Sequence, residues 1–157
     1  MHILAVYYIM PKSGTRRQRS TKSNKTRSTT KTENKSHIVR MFMEMLNVVK
    51  LYHWKTHSFA QHKATDELYE RLNENVDKFV EVLLGKDGSR INMTKKRVDL
   101  IDPESINSFK SRIYEYRAFL VDLNRYFSPK RDTDLLNIRD EILGDINQFL
   151  YLLTFDK

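Results

Sequence analysis

Apolar side chains recur at spacings of three and four residues through most of the chain after residue 37. This period places them on one face of an α-helix, so the pattern predicts amphipathic helices. Ser36 is a suitable N-cap for the first helix. The second begins near residues 58–61 and runs to about Leu84, with Gly85 as its C-cap. Their apolar stripes are Ile38, Phe42, Met45, Val49 and Tyr52, then Leu68, Leu72, Val76, Phe79 and Leu83.

Two more helices follow a connection over residues 86–101, which carries a basic patch at Lys95–Arg97. The run Asp102-Pro103-Glu104 predicts the start of the third helix, because it combines a cap, a proline at the first position and an acidic first turn. Asp132 or Thr133 caps the fourth. Their stripes are Ile106, Phe109, Ile113, Tyr116, Leu120, Leu123 and Phe127, then Leu135, Ile138, Ile142, Ile146, Phe149 and Leu153. No strand pattern occurs, so we expect an all-α fold, a four-helix bundle.

The positive charge of the chain is concentrated before the first helix. Residues 12–36 contain one acidic residue and nine basic ones, which account for the whole net charge of +8: Lys12, Arg16, Arg17, Arg19, Lys22, Lys25, Arg27, Lys31 and Lys35. Such a segment cannot bury enough apolar surface to offset its ordering entropy. We therefore expect a disordered basic tail over residues 1–36 and a helical domain over residues 37–157. Residues 1–9 are interpreted as a misassigned start, because Met10 opens a second plausible one, or as a disordered leader.

Composition excludes several classes of site. The chain has no cysteine, which rules out disulfides, zinc–thiolate sites, iron–sulfur clusters and a cysteine nucleophile. No stretch reaches the ~20 apolar residues that a membrane span needs, and no secretory signal is obvious. We expect a protein that is neither secreted nor associated with a membrane.

The second helix carries two pairs of candidate metal ligands on one stripe. His62 and Asp66 are four residues apart, as are Asp77 and Glu81. At ~100° per residue all four fall within an arc of ~100° beside the apolar face. About 16 Å of helix axis separates Asp66 from Asp77, at ~1.5 Å per residue, so both pairs of one chain cannot hold the same ion.

A second copy of the chain would resolve this separation. Placed antiparallel across a twofold axis, it sets His62 and Asp66 of one chain opposite Asp77 and Glu81 of the other. His53, on the inward side of the first helix, could complete each site. Such mixed nitrogen and oxygen ligands suit divalent first-row metals, above all iron. The competing interpretation is a set of ordinary surface residues, since carboxylates at this spacing are common on charged helices. Trp54 and Phe59 are interpreted as packing residues.

These residues resemble the signature of the Dps proteins, the DNA-protecting mini-ferritins of starved cells. The resemblance rests on His-Trp at 53–54, Phe59, HxxxD at 62–66 and DxxxE at 77–81, and it covers residues 38–155. The pattern YHW…HKA…LY…DKFVE is also similar to that of small uncharacterised relatives carried by large DNA viruses. The resemblance implies a ferritin-like four-helix bundle that assembles into a homo-oligomer, either a dimer that shares its metal sites or a hollow dodecamer.

The resemblance also implies a ferroxidase site at the dimer interface. His53, His62 and Asp66 would come from one chain and Asp77 and Glu81 from the other, around one or two iron ions. Fe(II) would be oxidised, preferably by hydrogen peroxide, and stored as a ferric core. The implied location is the cytoplasm, the nucleoid or a virion.

Three features depart from the family pattern. The gap from His53 to His62 is shorter, Val82 stands where the family has an arginine, and residues 86–101 do not match. His57 is an additional histidine that could substitute for His53.

The basic tail adds a nucleic-acid partner, since many Dps proteins bind DNA through such tails. Its cations can neutralise phosphates and release counterions. Residues 12–36 contain no aromatic residue for base stacking, so binding to DNA should be non-specific and salt-sensitive. The alternative for the tail is a solvated segment or a targeting signal of basic type. The alternatives for the whole chain are a non-enzymatic, nucleic-acid-packaging or structural oligomer without efficient oxidation, and a monomeric helical adaptor.

Overall fold

Four α-helices make up the described part of the chain. The computed structural model describes residues 21–155, with side chains from residue 33. No strand occurs in that range, so the predicted all-α class is confirmed. None of its helices combines the length and the apolar character that crossing a membrane requires. The helices are α1 Thr21–Lys55, α2 Phe59–Gly85, α3 Ile106–Asp122 and α4 Thr133–Leu152, with a short 3-10 helix, Leu123–Arg125, after α3.

The helices pack as a bundle around one core. Helix α2 packs against α1 and α4, and α3 packs against α4 and α1, so α2 and α3 lie diagonally opposite each other. The predicted apolar stripes face this core. Every one of their members is buried except Ile106 and Phe127, which are half-buried.

One long crossover, residues 86–105, joins α2 to α3 and runs alongside α1. Near its start, Lys35 Nζ donates to Asp87 Oδ2 at 2.7 Å. Near its end, Asp102 pairs with Lys55, twenty residues further along α1. The crossover therefore returns about 30 Å along the bundle, at ~1.5 Å per residue of α1. As a consequence, α2 and α3 run in the same direction.

Two predicted helix starts differ from the structure. Helix α1 begins at Thr21 and continues through Ser36, whose side chain bonds to the crossover instead of capping a helix. Ser36 is buried and its Oγ accepts a hydrogen bond from Thr94 N at 3.0 Å. Helix α3 begins at Ile106 because Ser105 and Ser108 form a reciprocal capping box.

The predicted end of α2 differs as well. Gly85 is the last helical residue and Lys86 follows it in a right-handed conformation. The left-handed glycine is Gly88, with φ of 66°. Lys86 Nζ instead ties this end to the start of α4, lying 2.9 Å from Asp134 Oδ1. Helix α2 begins within the predicted range and has Ser58 as its N-cap, and Asp132, one of the two predicted caps for α4, occupies that position.

The structure describes only part of the predicted basic tail. Residues 1–20, with Lys12, Arg16, Arg17 and Arg19, lie outside the described residues. From Thr21 to Ser36 the backbone is helical, which differs from the expected disorder. Lys35 is buried and bonded to the crossover, so it belongs to the folded domain.

A buried polar pair links α1 to α3. Tyr116 Oη donates to Glu44 Oε1 at 3.2 Å, and both residues are buried. Burial, and then the neighbouring Glu44 carboxylate, raise the pKa of the Tyr116 hydroxyl, which therefore stays protonated and remains a donor. Arg40 lies 3.5 Å from the other oxygen of Glu44.

We predict that Tyr116→Phe lowers the free energy of unfolding by about 1–2 kcal/mol, because it leaves a buried carboxylate without one of its donors. Tyr114→Phe on the same helix is the matched control, since Tyr114 is 48% exposed. We expect that control to change stability by less than about 0.5 kcal/mol. Urea unfolding of both variants measures the difference. Equal losses would contradict a specific role for the buried pair.

Candidate metal site

A tight connection between α1 and α2 places two histidines side by side. His53 lies near the end of α1 and His62 in the first turns of α2. Ser58 Oγ caps α2 by accepting from Gln61 N, and Tyr52 Oη donates to Gln61 Oε1 at 2.6 Å. These bonds fix the start of α2 against the end of α1, so the short gap still brings the two rings together.

The two imidazole rings form a reciprocal pair. They stack with centroids 3.9 Å apart and an angle of 23° between their planes. His53 Nδ1 lies 3.1 Å from the carbonyl oxygen of His62, and His62 Nδ1 lies 3.0 Å from that of His53. A carbonyl oxygen can only accept, so each Nδ1 carries the hydrogen, and in a neutral ring Nε2 then keeps its lone pair. This is the usual arrangement of histidines that bind a metal through Nε2.

Thr65 supports this arrangement, and nothing in the sequence had singled it out. It is fully buried, and its Oγ1 donates to Gln61 O at 2.7 Å. The same oxygen lies 3.3 Å from His53 Nδ1, from which it can accept. The one available signal was its place on the core-facing side of α2, three residues before Leu68.

Asp66 adds a carboxylate next to the histidine pair. Its Oδ1 lies 3.8 Å from His53 Nε2, and its side chain is 41% exposed. Metal–ligand bonds of about 2.0–2.2 Å let two ligands of one ion lie up to about 4.4 Å apart. His53 and Asp66 therefore lie within reach of one ion, and His62 stacks on His53; we call these three residues the half-site.

The second predicted pair lies well away from this half-site. Asp77 and Glu81 are exposed farther along α2, and neither makes a hydrogen bond or ion pair with any residue the structure describes. Within residues 33–155 of one chain, no three His, Cys, Asp or Glu side chains are grouped closely enough to hold a metal ion. The residues present fit a metal only as two separate halves.

The residues around the half-site differ from expectation in two ways. Trp54 and Phe59 are 69% and 77% exposed, so the interpretation of both as packing residues is wrong for the single chain. His57 is exposed in the loop and makes no ring contact or hydrogen bond with described residues. His53, and not His57, is therefore the histidine beside His62.

Comparison with known proteins gives one match. Residues 53–153 match the model described as "Family of unknown function (DUF5856)". The chain belongs to this family. The DUF5856 match begins at His53 and spans all five predicted ligands and the crossover, whereas the basic segment lies outside it. Comparison with curated proteins and with solved structures gave no match.

We predict that His53 and His62 both carry their hydrogen on Nδ1 when the rings are neutral. Nitrogen-15 NMR of the metal-free protein, recorded above the titration of every ring, distinguishes the two tautomers. Exposed His57 is the internal control and should show the averaged signal of a mixture. A signal from hydrogen on Nε2 in either His53 or His62 would contradict the reciprocal pair.

Proposed function

We propose that the protein is a Dps-like ferroxidase, an iron-oxidising homo-oligomer in which two chains share each metal site. The observation that carries the proposal is the half-site of His53, His62 and Asp66, with unpartnered Asp77 and Glu81 on the same helix. Each half lacks what the other supplies.

The path of the chain supports a ferritin-like fold within this proposal. Ferritin-like bundles differ from simple up-and-down bundles in having one long crossover. Residues 86–105 provide such a crossover, and α2 and α3 run parallel across the core.

The surface of α2 is suited to a second copy of itself. An antiparallel partner crossing near Arg71 and Leu72 would place Asp77 and Glu81 against the histidine half-site of the other chain. Tyr69 and Val80 lie on the same side of α2 and are half-buried, so the contact would not be purely ionic. Exposed Trp54, beside the half-site, would be covered by the same partner.

The ligand set suits iron as a substrate. Two imidazole nitrogens and three carboxylates form a mixed set that accepts Fe(II). The carboxylates add negative charge, which stabilises Fe(III) relative to Fe(II) and so favours oxidation. Hydrogen peroxide balances the reaction: two Fe(II) ions each lose one electron, and the peroxide takes up both electrons and two protons to give two waters. The ferric product would be stored inside the oligomer.

The nucleic-acid role is assigned to the basic segment over residues 12–36. Lys35 makes its bonds inside the domain, so the phosphate-neutralising charge comes from the other cations of the segment. Repeated display of this segment on an oligomer would add avidity to weak individual contacts. The proposed binding is non-specific, because cations read phosphates and not bases.

One observation favours the alternative, a nucleic-acid-packaging oligomer without efficient oxidation. No complete metal-binding group exists within residues 33–155 of a single chain, so oxidation depends entirely on how two chains meet. If the chains assembled through another surface, the carboxylates of α2 would be ordinary solvated groups and packaging would remain.

The iron proposal predicts that Asp77→Asn loses rapid ferric formation when peroxide is added to protein loaded anaerobically with Fe(II). The loss should be at least about tenfold, since even supporting residues around a metal are worth that much. Glu74→Gln is the matched control, because Glu74 is an exposed, unpartnered acid of the same helix. Ferric absorbance follows both reactions. Oxidation no faster than in protein-free buffer would reject the ferroxidase and leave the packaging alternative.

The tail proposal predicts that glutamine at Lys12, Arg16, Arg17 and Arg19 weakens DNA binding in the full-length chain. The slope of log affinity against log salt should become shallower by up to about 4 units, at about 0.9 per lost phosphate contact on duplex DNA. Fluorescence anisotropy with a mixed-sequence duplex measures this slope. An unchanged slope would show that these cations do not contact phosphate.

A further inference from the structure

The crossover carries a second cluster of cations, separate from both the candidate metal site and the basic segment. Lys95, Lys96 and Arg97 are consecutive and all exposed. Lys95 Nζ lies 3.8 Å from Asp99 Oδ2, a loose pair between side chains that are 61% and 85% exposed. Lys96 and Arg97 make no hydrogen bond or ion pair within the part of the chain that the structure describes.

Several cations of the folded domain pair with acidic residues, unlike Lys96 and Arg97. Lys35 pairs with Asp87 and Lys55 with Asp102. Lys86 pairs with Asp132 and Asp134. Three adjacent exposed cations with one loosely paired acid therefore leave a local excess of positive charge on a domain whose basic and acidic residues balance overall.

The position of the cluster is fixed by a contact with α1. Thr94, immediately before it, donates to Ser36 Oγ from both its backbone N and its Oγ1, each at 3.0 Å. Ser36 is 3% exposed, so this contact anchors the crossover in the fold. The start of the crossover is held next to it by Lys35. The cluster therefore lies next to the part of α1 where the basic segment, residues 12–36, ends.

Helix α1 contains further basic residues on the N-terminal side of Ser36. Arg27 and Lys31 belong to α1, and their backbone lies about 14 and 8 Å along the axis from Ser36, at ~1.5 Å per residue. The crossover cations therefore extend the basic segment onto the folded domain. Basic residues spread over this length of the chain match the repeated charges of a nucleic-acid strand better than a single acidic group.

We propose that Lys95, Lys96 and Arg97 form a second nucleic-acid-binding site that takes the sugar–phosphate backbone of a strand also held by the basic segment. This inference rests on the proposed nucleic-acid function. The crossover is anchored at Thr94, which limits the backbone freedom that its cations lose on binding. A fixed contact also raises the effective concentration of the strand for the tail. Contacts of this kind position the strand without reading its sequence.

The test compares two triple variants of the full-length chain. Lys95→Gln/Lys96→Gln/Arg97→Gln removes the cluster. Lys63→Gln/Lys110→Gln/Arg117→Gln is matched in charge and removes cations that form no ion pair with described residues and lie outside the crossover. Binding of a mixed-sequence DNA duplex is followed by fluorescence anisotropy over a range of salt concentrations. Thermal unfolding confirms that both variants are folded.

We expect the crossover variant to lose about 2–3 units of salt slope, at about 0.9 per phosphate contact, and the control to keep the wild-type slope. Equal slopes in the two variants would overturn the inference while leaving tail binding intact. A wild-type chain that does not bind the duplex would reject both the tail function and this site. A loss in the crossover variant together with unchanged binding in the tail variant would support this site and reject the tail.

Discussion

The straight run of α2 is the constraint on which the bundle and the candidate site both depend. Its core face packs against α1 and α4, and its outer side carries His62, Asp66, Asp77 and Glu81. The helical rise fixes the second pair about 16 Å from the first, at ~1.5 Å per residue. No side-chain rotation can close that distance, so the proposed function draws on a second chain to complete each site. The proposed function follows from this rigidity more than from any single ligand.

The reciprocal histidine pair both stabilises the connection between α1 and α2 and orients the two rings of the candidate site. Each Nδ1 donates to a backbone carbonyl, which closes the connection between α1 and α2 and leaves the lone pair of Nε2 available to the proposed metal. On the core side, Thr65 Oγ1 is a further hydrogen-bond acceptor for His53 Nδ1. The crossover plays the corresponding role near the middle of α1, where the contact between Thr94 and Ser36 fixes the position of the cations that follow Thr94. Both candidate sites are therefore held by buried polar contacts of α1.

Sequence periodicity predicted the helices and their buried faces, because burial of an apolar stripe dominates where a helix lies. Helix ends were less predictable, since caps compete and tertiary contacts decide among them. Asp102 pairs with Lys55, so Ser105 caps α3 instead. Spacing also predicted that the two ligand pairs share one side of α2. It could not predict the stacking of His53 on His62 or the burial of Lys35, because both depend on how connections fold back on the helices.

The most direct test of a shared site is complementation between two inactive chains. One parent carries His62→Ala and Asp66→Asn, and the other carries Asp77→Asn and Glu81→Gln. In a mixed dimer one site loses all of these ligands and the other keeps all of them. Random co-assembly makes half of the dimers mixed, so peroxide-dependent iron oxidation should return to about a quarter of the wild-type rate. A mixture no more active than its parents would contradict a site built from two chains.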